Sequence, residues 1–193
     1  MNKRKRILIS VTDKKGLEQF KQLTDLDWEI VSTDGTYAKL KELGIPCILV
    51  EEVTNFPEMM NGRVKTLHPN IFAGILADRS KPEHMEALEV HGIETIDMVV
   101  VNFYDFDGNP NIENIDIGGP SLLRACAKNG KFTIPIVSPD DYPDVIWQIK
   151  ELGEVSSIKR QNLVRKVFET TMRYEMNIYK WMTGEILENK EFL

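Results

Sequence analysis

The chain has 193 residues, with 24 Lys and Arg against 30 Asp and Glu, which gives a net charge of −6. This acidic balance disfavours nucleic acid as a partner, and the basic run at residues 3–6 is interpreted as a solvated flank of the first strand. No apolar run is long enough for a membrane span, and no secretion leader follows the basic start. The two cysteines form no disulfide framework. We therefore expect a cytoplasmic protein of one domain, residues 1–193, without a nucleic-acid or membrane partner.

The first third of the chain alternates short apolar runs with helical patterns. Residues 7–11 form a continuous apolar run, typical of a strand buried on both faces of a parallel sheet. Leu17, Phe20 and Leu23 then recur at helical spacing. The unit repeats with a strand at 28–32, a helix at 37–43 and a strand at 45–50. This alternation predicts an α/β fold with a doubly wound, mainly parallel sheet flanked by helices.

The rest of the chain continues the alternation and ends in helices. Three further strands are predicted at 71–76, at 97–103, which gives the strongest strand signal, and at 132–137. The predicted helices are 81–90, 121–128, 140–152 and 156–181. The last of these predicts a helical extension at the carboxyl terminus.

The densest polar run is Gly62–Pro69, which holds two cations, a hydroxyl and an imidazole. It follows residues 55–61, which show neither strand nor helix periodicity, so we predict a loop. A loop with this much polar chemistry is a candidate site. A solvated basic turn is the alternative.

Polar side chains also collect where the predicted strands end, which is where open α/β sheets bind ligands. The segment 32–36 follows the second strand and places hydroxyls and backbone N–H groups at a helix start, which suits a phosphate. Lys14, after the first strand, offers a second cation. An ordinary hydroxyl cap and a solvated lysine are the alternatives. Asp34 would oppose a phosphate unless it points outward.

The segment 116–119 precedes another helix, and Gly118 and Gly119 either expose N–H groups to a ligand or form a flexible turn. The chain has no Walker loop, dinucleotide fingerprint or nucleophile elbow, and its three histidines are scattered without metal spacing. Taken alone, these residues indicate an α/β domain that binds a phosphorylated small molecule without a metal. They do not name a reaction.

Six stretches resemble one family, IMP cyclohydrolase, which is the N-terminal domain of a bifunctional enzyme with AICAR formyltransferase. They are residues 10–17, 32–36, 56–69, 97–102, 113–120 and 124–129, in the family's order over nearly the whole chain. The resemblance implies a methylglyoxal-synthase-like fold. It also implies closure of 5-formamidoimidazole-4-carboxamide ribotide (FAICAR) to IMP with loss of water and no cofactor, the last step of purine nucleotide synthesis.

The resemblance also carries roles onto particular residues. Its catalytic group falls on Lys65, Tyr104, Asp116 and Lys128. Residues implied to position the base are Arg63, Thr66, Asn102, Ile117, Gly118 and Gly119. Residues implied to hold the 5′-phosphate are Ser10, Lys14, Ser32, Thr33, Gly35 and Thr36.

Three departures from the family pattern qualify this interpretation. A formyltransferase domain is absent, so we expect a stand-alone cyclohydrolase whose formylated substrate comes from a separate protein. We also expect a homodimer. The loop at 105–112 is shorter than the family norm, and Asp34 replaces the glycine usual in the phosphate loop. Two rival functions on the same fold are methylglyoxal synthase, against which residues 56–69 argue, and a regulatory effector-binding module, which needs no catalytic set.

Overall fold

A computed structural model describes residues 4–60, 62–103, 106 and 108–184. Five parallel strands form one sheet in the order β3-β2-β1-β4-β5. The strands are β1 (Arg6–Ser10), β2 (Glu29–Ser32), β3 (Ile48–Leu49), β4 (Met98–Val101) and β5 (Ile134–Ile136). The α-helices are α1 (Lys21–Thr24), α2 (Asp34–Glu42), α3 (Val50–Thr54), α4 (Pro69–Leu76), α5 (Pro82–Val90), α6 (Gly118–Lys128), α7 (Tyr142–Leu152) and α8 (Ser157–Thr183). Three short 3₁₀ helices span Leu17–Phe20, Ile112–Asn114 and Pro139–Asp141.

The strand alternation sorts the apolar side chains into two cores, one on each face of the sheet. In β1, Ile7 and Ile9 pack into the core covered by α1, α2 and α7, whereas Leu8 packs into the core covered by α3, α4, α6 and α8. All three residues are fully buried. Because successive side chains of a strand point to opposite faces, a continuous apolar run requires helices on both sides. The predicted doubly wound sheet is therefore confirmed.

The pairing register brings the carboxyl ends of three strands together at one end of the sheet, which we call its carboxyl edge; the opposite end is the amino edge. Ile9 is opposite Ser32 of β2, and Ser10 is opposite Val101 of β4. The loops that follow these strands therefore emerge side by side, as the sequence predicts for a ligand-binding edge.

The predicted strand at 71–76 is wrong, because this segment is α4. Its buried residues are Ile71, Gly74 and Ile75, a spacing of three and four that fits one helix face. Pro69 occupies the first turn, and His68 caps the helix by accepting a hydrogen bond at Nδ1 from the Asn70 N–H, 3.2 Å away. The short apolar run did not distinguish a buried helix from a strand.

The predicted third strand, 45–50, is mostly not a strand. Only Ile48–Leu49 pair with β2, and Val50 already begins α3. The remaining predicted strands and helices are present, with shifts of a few residues at their ends.

The last helix, α8, spans 27 residues and packs its Val167 into the core beneath α6. Among the described residues, no helix combines the length and the apolar character that a membrane crossing requires.

Candidate functional site

The loops after β1 and β2 are joined by hydroxyl hydrogen bonds. The Ser10 and Thr33 hydroxyl oxygens are 2.9 Å apart, and the Ser32 hydroxyl donates to the Ile9 carbonyl at 2.9 Å. The Thr36 hydroxyl lies 3.1 Å from both the N–H and the carbonyl of Val11. Ser32, Thr33 and Thr36 are buried, so their hydroxyls hold β1 against the start of α2.

An anion at this edge would meet the start of α2 and Lys14. Thr33 is the cap of α2, and the first N–H groups of a helix have no partner within it. The Lys14 ammonium donates to the Val11 carbonyl and, at 3.1 Å, to the Thr36 hydroxyl oxygen. Gly35 and Asp34 are exposed in the first turn, and a Cβ at Gly35 would meet nothing within 4 Å. The residues predicted to hold a phosphate therefore lie together, with the Lys14 ammonium at the Thr36 hydroxyl, and their role in binding an anion stays a prediction.

Asn102, directly after β4, fixes the loop that carries Lys14. Its Oδ1 accepts hydrogen bonds from the N–H groups of Thr12 at 2.6 Å and Asp13 at 3.1 Å. Its Nδ2 donates to the Asp13 carbonyl at 3.1 Å. In this structure Asn102 positions the loop that would hold the anion.

The polar run at 62–69 is a loop as far as His68, as predicted, and α4 begins at Pro69. An antiparallel bridge between Met59 and Val64 closes a turn that contains Gly62 at φ 92°, a conformation that favours glycine. Lys65 Nζ lies 3.4 Å from Glu58 Oε2, and both side chains are about 70% covered. Arg63, on the outside of the loop, pairs with Glu113.

The turn before α6 brings Asp116 and two glycines to the same edge. Asp116 Oδ1 accepts a hydrogen bond of 2.8 Å from the Gly119 N–H. A Cβ at Gly119 would lie 2.6 Å from Asp116 Oδ2, and a Cβ at Gly118 would lie 3.1 Å from Thr66 Oγ1. The helix begins at Gly118, earlier than the sequence predicts, and a Cβ at Gly119 would force the Asp116 carboxylate to shift.

Electrostatics join the three groups into one site. Burial lowers the pKa of Lys14, and the charge of Lys65 lowers it further, so two cations share this edge. Burial raises the pKa of Asp116, although the Gly119 and Gly118 N–H groups and the charge of Lys65 oppose the change. Lys65 is thus close enough to Lys14 and to Asp116 for its charge to act on both, and burial makes the Asp116 carboxylate easier to protonate than a surface carboxylate.

Within this chain, Lys128 lies away from the site formed by Lys14, Lys65 and Asp116. It is the last residue of α6, whose 11 residues extend over about 15 Å, and it is exposed at the end opposite Gly118. Together with Lys131 and Arg160 it lines a groove between α6 and α8. The helix that begins at the site thus carries Lys128 away from Asp116, and the catalytic role that the resemblance implies for Lys128 stays a prediction.

The other predicted residues are placed as follows. Thr66 is buried against Gly118, and Ile117 is 60% exposed at the start of α6. Tyr104 lies outside the described residues.

Two residues without a role in the sequence analysis contact the site. Glu58 belongs to the motif at 56–69 but was given no function, and it pairs with Lys65. Tyr174 of α8 accepts a hydrogen bond from the Asp116 N–H, with 2.6 Å between N and Oη. No local pattern indicates this second contact, because 58 positions separate the two residues.

Three carboxylates flank the cradle. Oxygen atoms of Asp34, Glu51 and Glu58 lie within 4.8 Å of one another. Acidic groups of this kind also occur without an ion, so the cluster alone assigns no metal. It does place negative charge beside Lys65.

The fold and this edge define a class: a parallel α/β domain in which the turn that starts α2 lies beside a lysine and a carboxylate. Residues 15–133 match the family model described as MGS-like domain, and the chain belongs to that family. Residues 126–192 match a second model, described as AICARFT/IMPCHase bienzyme.

Known relatives point in the same direction. The chain is 47% identical over 196 residues to the bifunctional purine biosynthesis protein PurH of Streptococcus suis (strain 05ZYH33), and 48% identical to the protein of the same name from Bacillus subtilis (strain 168). Each alignment covers 96% of this chain but 38% of the relative, so the chain spans well under half the length of these relatives. The crystal structure of ForH superimposes with a TM-score of 0.86 at 29% identity, covering 96% of this chain and all of that one. The resemblance and the fold predicted from it are confirmed.

Proposed function

We propose that this chain, acting as one domain over residues 1–193, is an IMP cyclohydrolase that closes the ring of FAICAR to IMP with loss of water. The observation that carries the proposal is the convergence of Lys65, Asp116 and Lys14 on one sheet edge beside the start of α2. One end of this edge suits a 5′-phosphate and the other suits proton transfer. The PurH relatives are named bifunctional purine biosynthesis proteins, which supports a purine ribotide as the ligand.

The reaction needs positioning, charge stabilisation and two proton movements. The carboxamide nitrogen attacks the formyl carbon, a C–N bond forms, and the C=O electron pair moves onto the formyl oxygen. That oxygen gains a proton and the nitrogen loses one, which gives a cyclic carbinolamine. Water then leaves and the aromatic purine forms. Both reacting groups are on adjacent ring carbons, so holding them coplanar removes much of the entropic barrier.

We assign the proton movements to Lys65 and Asp116. Lys65 donates to the formyl oxygen, and one such donor typically contributes about 3–4 kcal/mol in the transition state. Asp116 accepts the carboxamide proton, because its raised pKa makes it a stronger base than a surface carboxylate. Tyr104 remains the predicted assistant in this transfer. The predicted role of Lys128 rests on the resemblance alone, since the geometry of one chain gives it no access to the reacting groups.

The remaining predicted residues bind the ligand in this proposal. Lys14, Ser10 and the first turn of α2 with Gly35 meet the phosphate, while Ser32, Thr33 and Thr36 hold that turn in place. The base lies against the exposed Ile117 and the backbone of Gly118 and Gly119, with Thr66, Asn102 and Arg63 around it.

The decisive experiment adds FAICAR to the purified protein in buffer with EDTA and follows the ultraviolet absorbance of IMP. We expect turnover under these conditions, because Lys65 and Asp116 carry the proton movements in this proposal and neither requires a metal. A parallel assay with dihydroxyacetone phosphate tests methylglyoxal synthase. Methylglyoxal formation without IMP formation would replace the proposal, and binding of a ribotide without either product would favour the regulatory module.

We also propose a homodimer, located in the cytoplasm, that receives FAICAR from a formyltransferase. The formamide of FAICAR has to arise by formyl transfer to an amine, which fixes the class of the partner. The dimer is supported by an apolar face of α8 that stays exposed in this chain: Phe168, Met172 and Met176. Sedimentation velocity should give twice the mass of one chain. A single-chain mass that persists at micromolar concentration would exclude the dimer.

A further inference from the structure

Tyr174 of α8 makes two hydrogen bonds to the segment that leads into Asp116. Tyr174 Oη accepts the Asp116 N–H at 2.6 Å, and its hydroxyl donates to the Asn114 carbonyl at 3.2 Å. One phenol thus holds both ends of the short segment that leads into Asp116. Each of its two hydrogen bonds goes to backbone, so the contact fixes the course of the chain there.

The ring of Tyr174 is itself held by aromatic neighbours. Its centroid lies 5.0 Å from that of Phe103, which follows Asn102, and 6.1 Å from that of Phe106. Phe106 in turn packs edge-on against Trp181 at 5.7 Å. Tyr174 is 7% exposed. A phenol fixed in this way offers its oxygen at a defined place, which preorganises the segment that it bonds.

We infer that Tyr174 is a positioning residue for the ring-closure reaction, acting through the backbone of Asp116. This inference rests on the proposed function and assigns to α8, outside the sheet edge, a part in the chemistry. The Asp116 carboxylate keeps its 2.8 Å bond to the Gly119 N–H only while its own peptide stays in place. Tyr174 holds that peptide from one side and α6 holds the carboxylate from the other.

The consequence is a pH dependence with a defined sign. The Gly118 and Gly119 N–H groups and Lys65 lower the pKa of Asp116, against the larger effect of burial. Among the described residues, the charges of Asp116 and Glu175 also act on Tyr174 and raise its pKa, which burial raises most. If the segment loosens, the N–H bonds weaken and the pKa of Asp116 rises. As the pH falls, a base with a higher pKa is protonated earlier, so the enzyme loses activity already at a higher pH.

The test compares Tyr174→Phe with Tyr179→Phe. Both remove one phenol oxygen from the same helix, but Tyr179 is 59% exposed. We expect Tyr174→Phe to lower turnover about tenfold, with a smaller change in KM, and to move the acid limb of the pH–rate profile upward. Tyr179→Phe should match the wild type. Unchanged turnover and pH profile in Tyr174→Phe, or equal losses in both variants, would overturn the inference.

A double variant separates positioning from general destabilisation. In an Asp116→Asn background, adding Tyr174→Phe should cost turnover little more, because both changes remove the same function. A full further tenfold loss would mean that Tyr174 does not act through Asp116.

Two measurements keep the inference separate from the proposed reaction. Carbon-13 NMR titration of Asp116 should give a higher carboxyl pKa in Tyr174→Phe than in the wild type, whether or not the protein turns over FAICAR. If Tyr174→Phe does not fold, hydrogen exchange of the wild-type Asp116 amide decides: slow exchange supports the bond to Tyr174, and exchange at the rate of a free loop rejects it.

Discussion

The amino and carboxyl edges of the central sheet differ in how their charged side chains are paired. At the amino edge, Arg79 pairs with the buried Asp97 at 2.6 Å, and Arg6 pairs with Glu29 at 2.6 Å while its N–H donates to Asp97 at 2.8 Å. At the carboxyl edge, Lys14 donates to neutral oxygens and lies near a second lysine. Charges matched within the chain stabilise the fold, whereas an ammonium that is bonded to neutral oxygens, as Lys14 is, can still pair with the charge of a ligand. Lys65, which pairs with Glu58, is an exception at the carboxyl edge.

The pKa shifts express the same contrast. Burial of Lys14 and of Asp116 disfavours the charged form of each group, so the carboxyl edge costs stability in the free protein. A bound phosphate would relieve the cost at Lys14. The predictions below use one edge as the control for the other.

The largest effect is expected at the amino edge. Asp97→Ala leaves Arg79 without its carboxylate and the Arg6 N–H without an acceptor, which should lower the free energy of unfolding by about 3–5 kcal/mol. Urea denaturation measures this change. Asp97→Asn, which keeps an acceptor for Arg6, should lose less, and turnover per folded molecule should stay within about twofold. A loss of turnover at full stability would show that the edges are not separate.

At the carboxyl edge, we expect Lys65→Ala to have the opposite effect, which is a loss of turnover with little change in stability. Removing the donor to the formyl oxygen is expected to lower turnover about 100- to 1000-fold, with little loss of stability and a smaller effect on IMP affinity. Steady-state kinetics and calorimetric titration with IMP provide the comparison. Lys15→Ala, an exposed lysine of the loop after β1, serves as the control. Equal, small losses of turnover and affinity would remove Lys65 from the chemistry.

Two glycines near opposite ends of α6 give a matched pair. A Cβ at Gly119 would lie 2.6 Å from Asp116 Oδ2, and a Cβ at Gly130 would lie 2.6 Å from Val164 Cγ2. We expect each alanine variant to cost about 1–3 kcal/mol, Gly119→Ala in transition-state stabilisation and Gly130→Ala in folding stability. Kinetics and thermal unfolding of both variants distinguish the two. The idea fails if Gly130→Ala lowers turnover as much as Gly119→Ala.

The smallest effect concerns the phosphate. Lys14→Ala should raise KM about tenfold and change turnover little. Because burial lowers the pKa of Lys14, its ammonium loses a proton at a lower alkaline pH than a surface lysine. Phosphate favours the charged form, so the wild-type KM should rise as the pH increases through that pKa. The rise should be absent in Lys14→Ala and in Lys14→Arg; its persistence in either variant would place the titrating group elsewhere.

Much of the fold and part of the site followed from the sequence alone. The apolar runs at 7–11 and 97–103 required a sheet covered on both faces, and parallel strands must end at one edge. Lys14, the turn at 32–36 and Asp116 were therefore predicted to lie together, because strand period and strand direction are local properties of the chain. The role of Lys65 came from the resemblance of a whole motif.

Tertiary structure alone decided the rest. Residues 71–76 form a helix because two buried residues per turn had a core to pack against, and a short apolar run does not reveal that. Lys128 lies far from Asp116 because α6 continues unbroken between them. Tyr174 reaches Asp116 because α8 folds back across the sheet. Contacts between residues 58 positions apart depend on how helices pack, and no local pattern of residues encodes that packing.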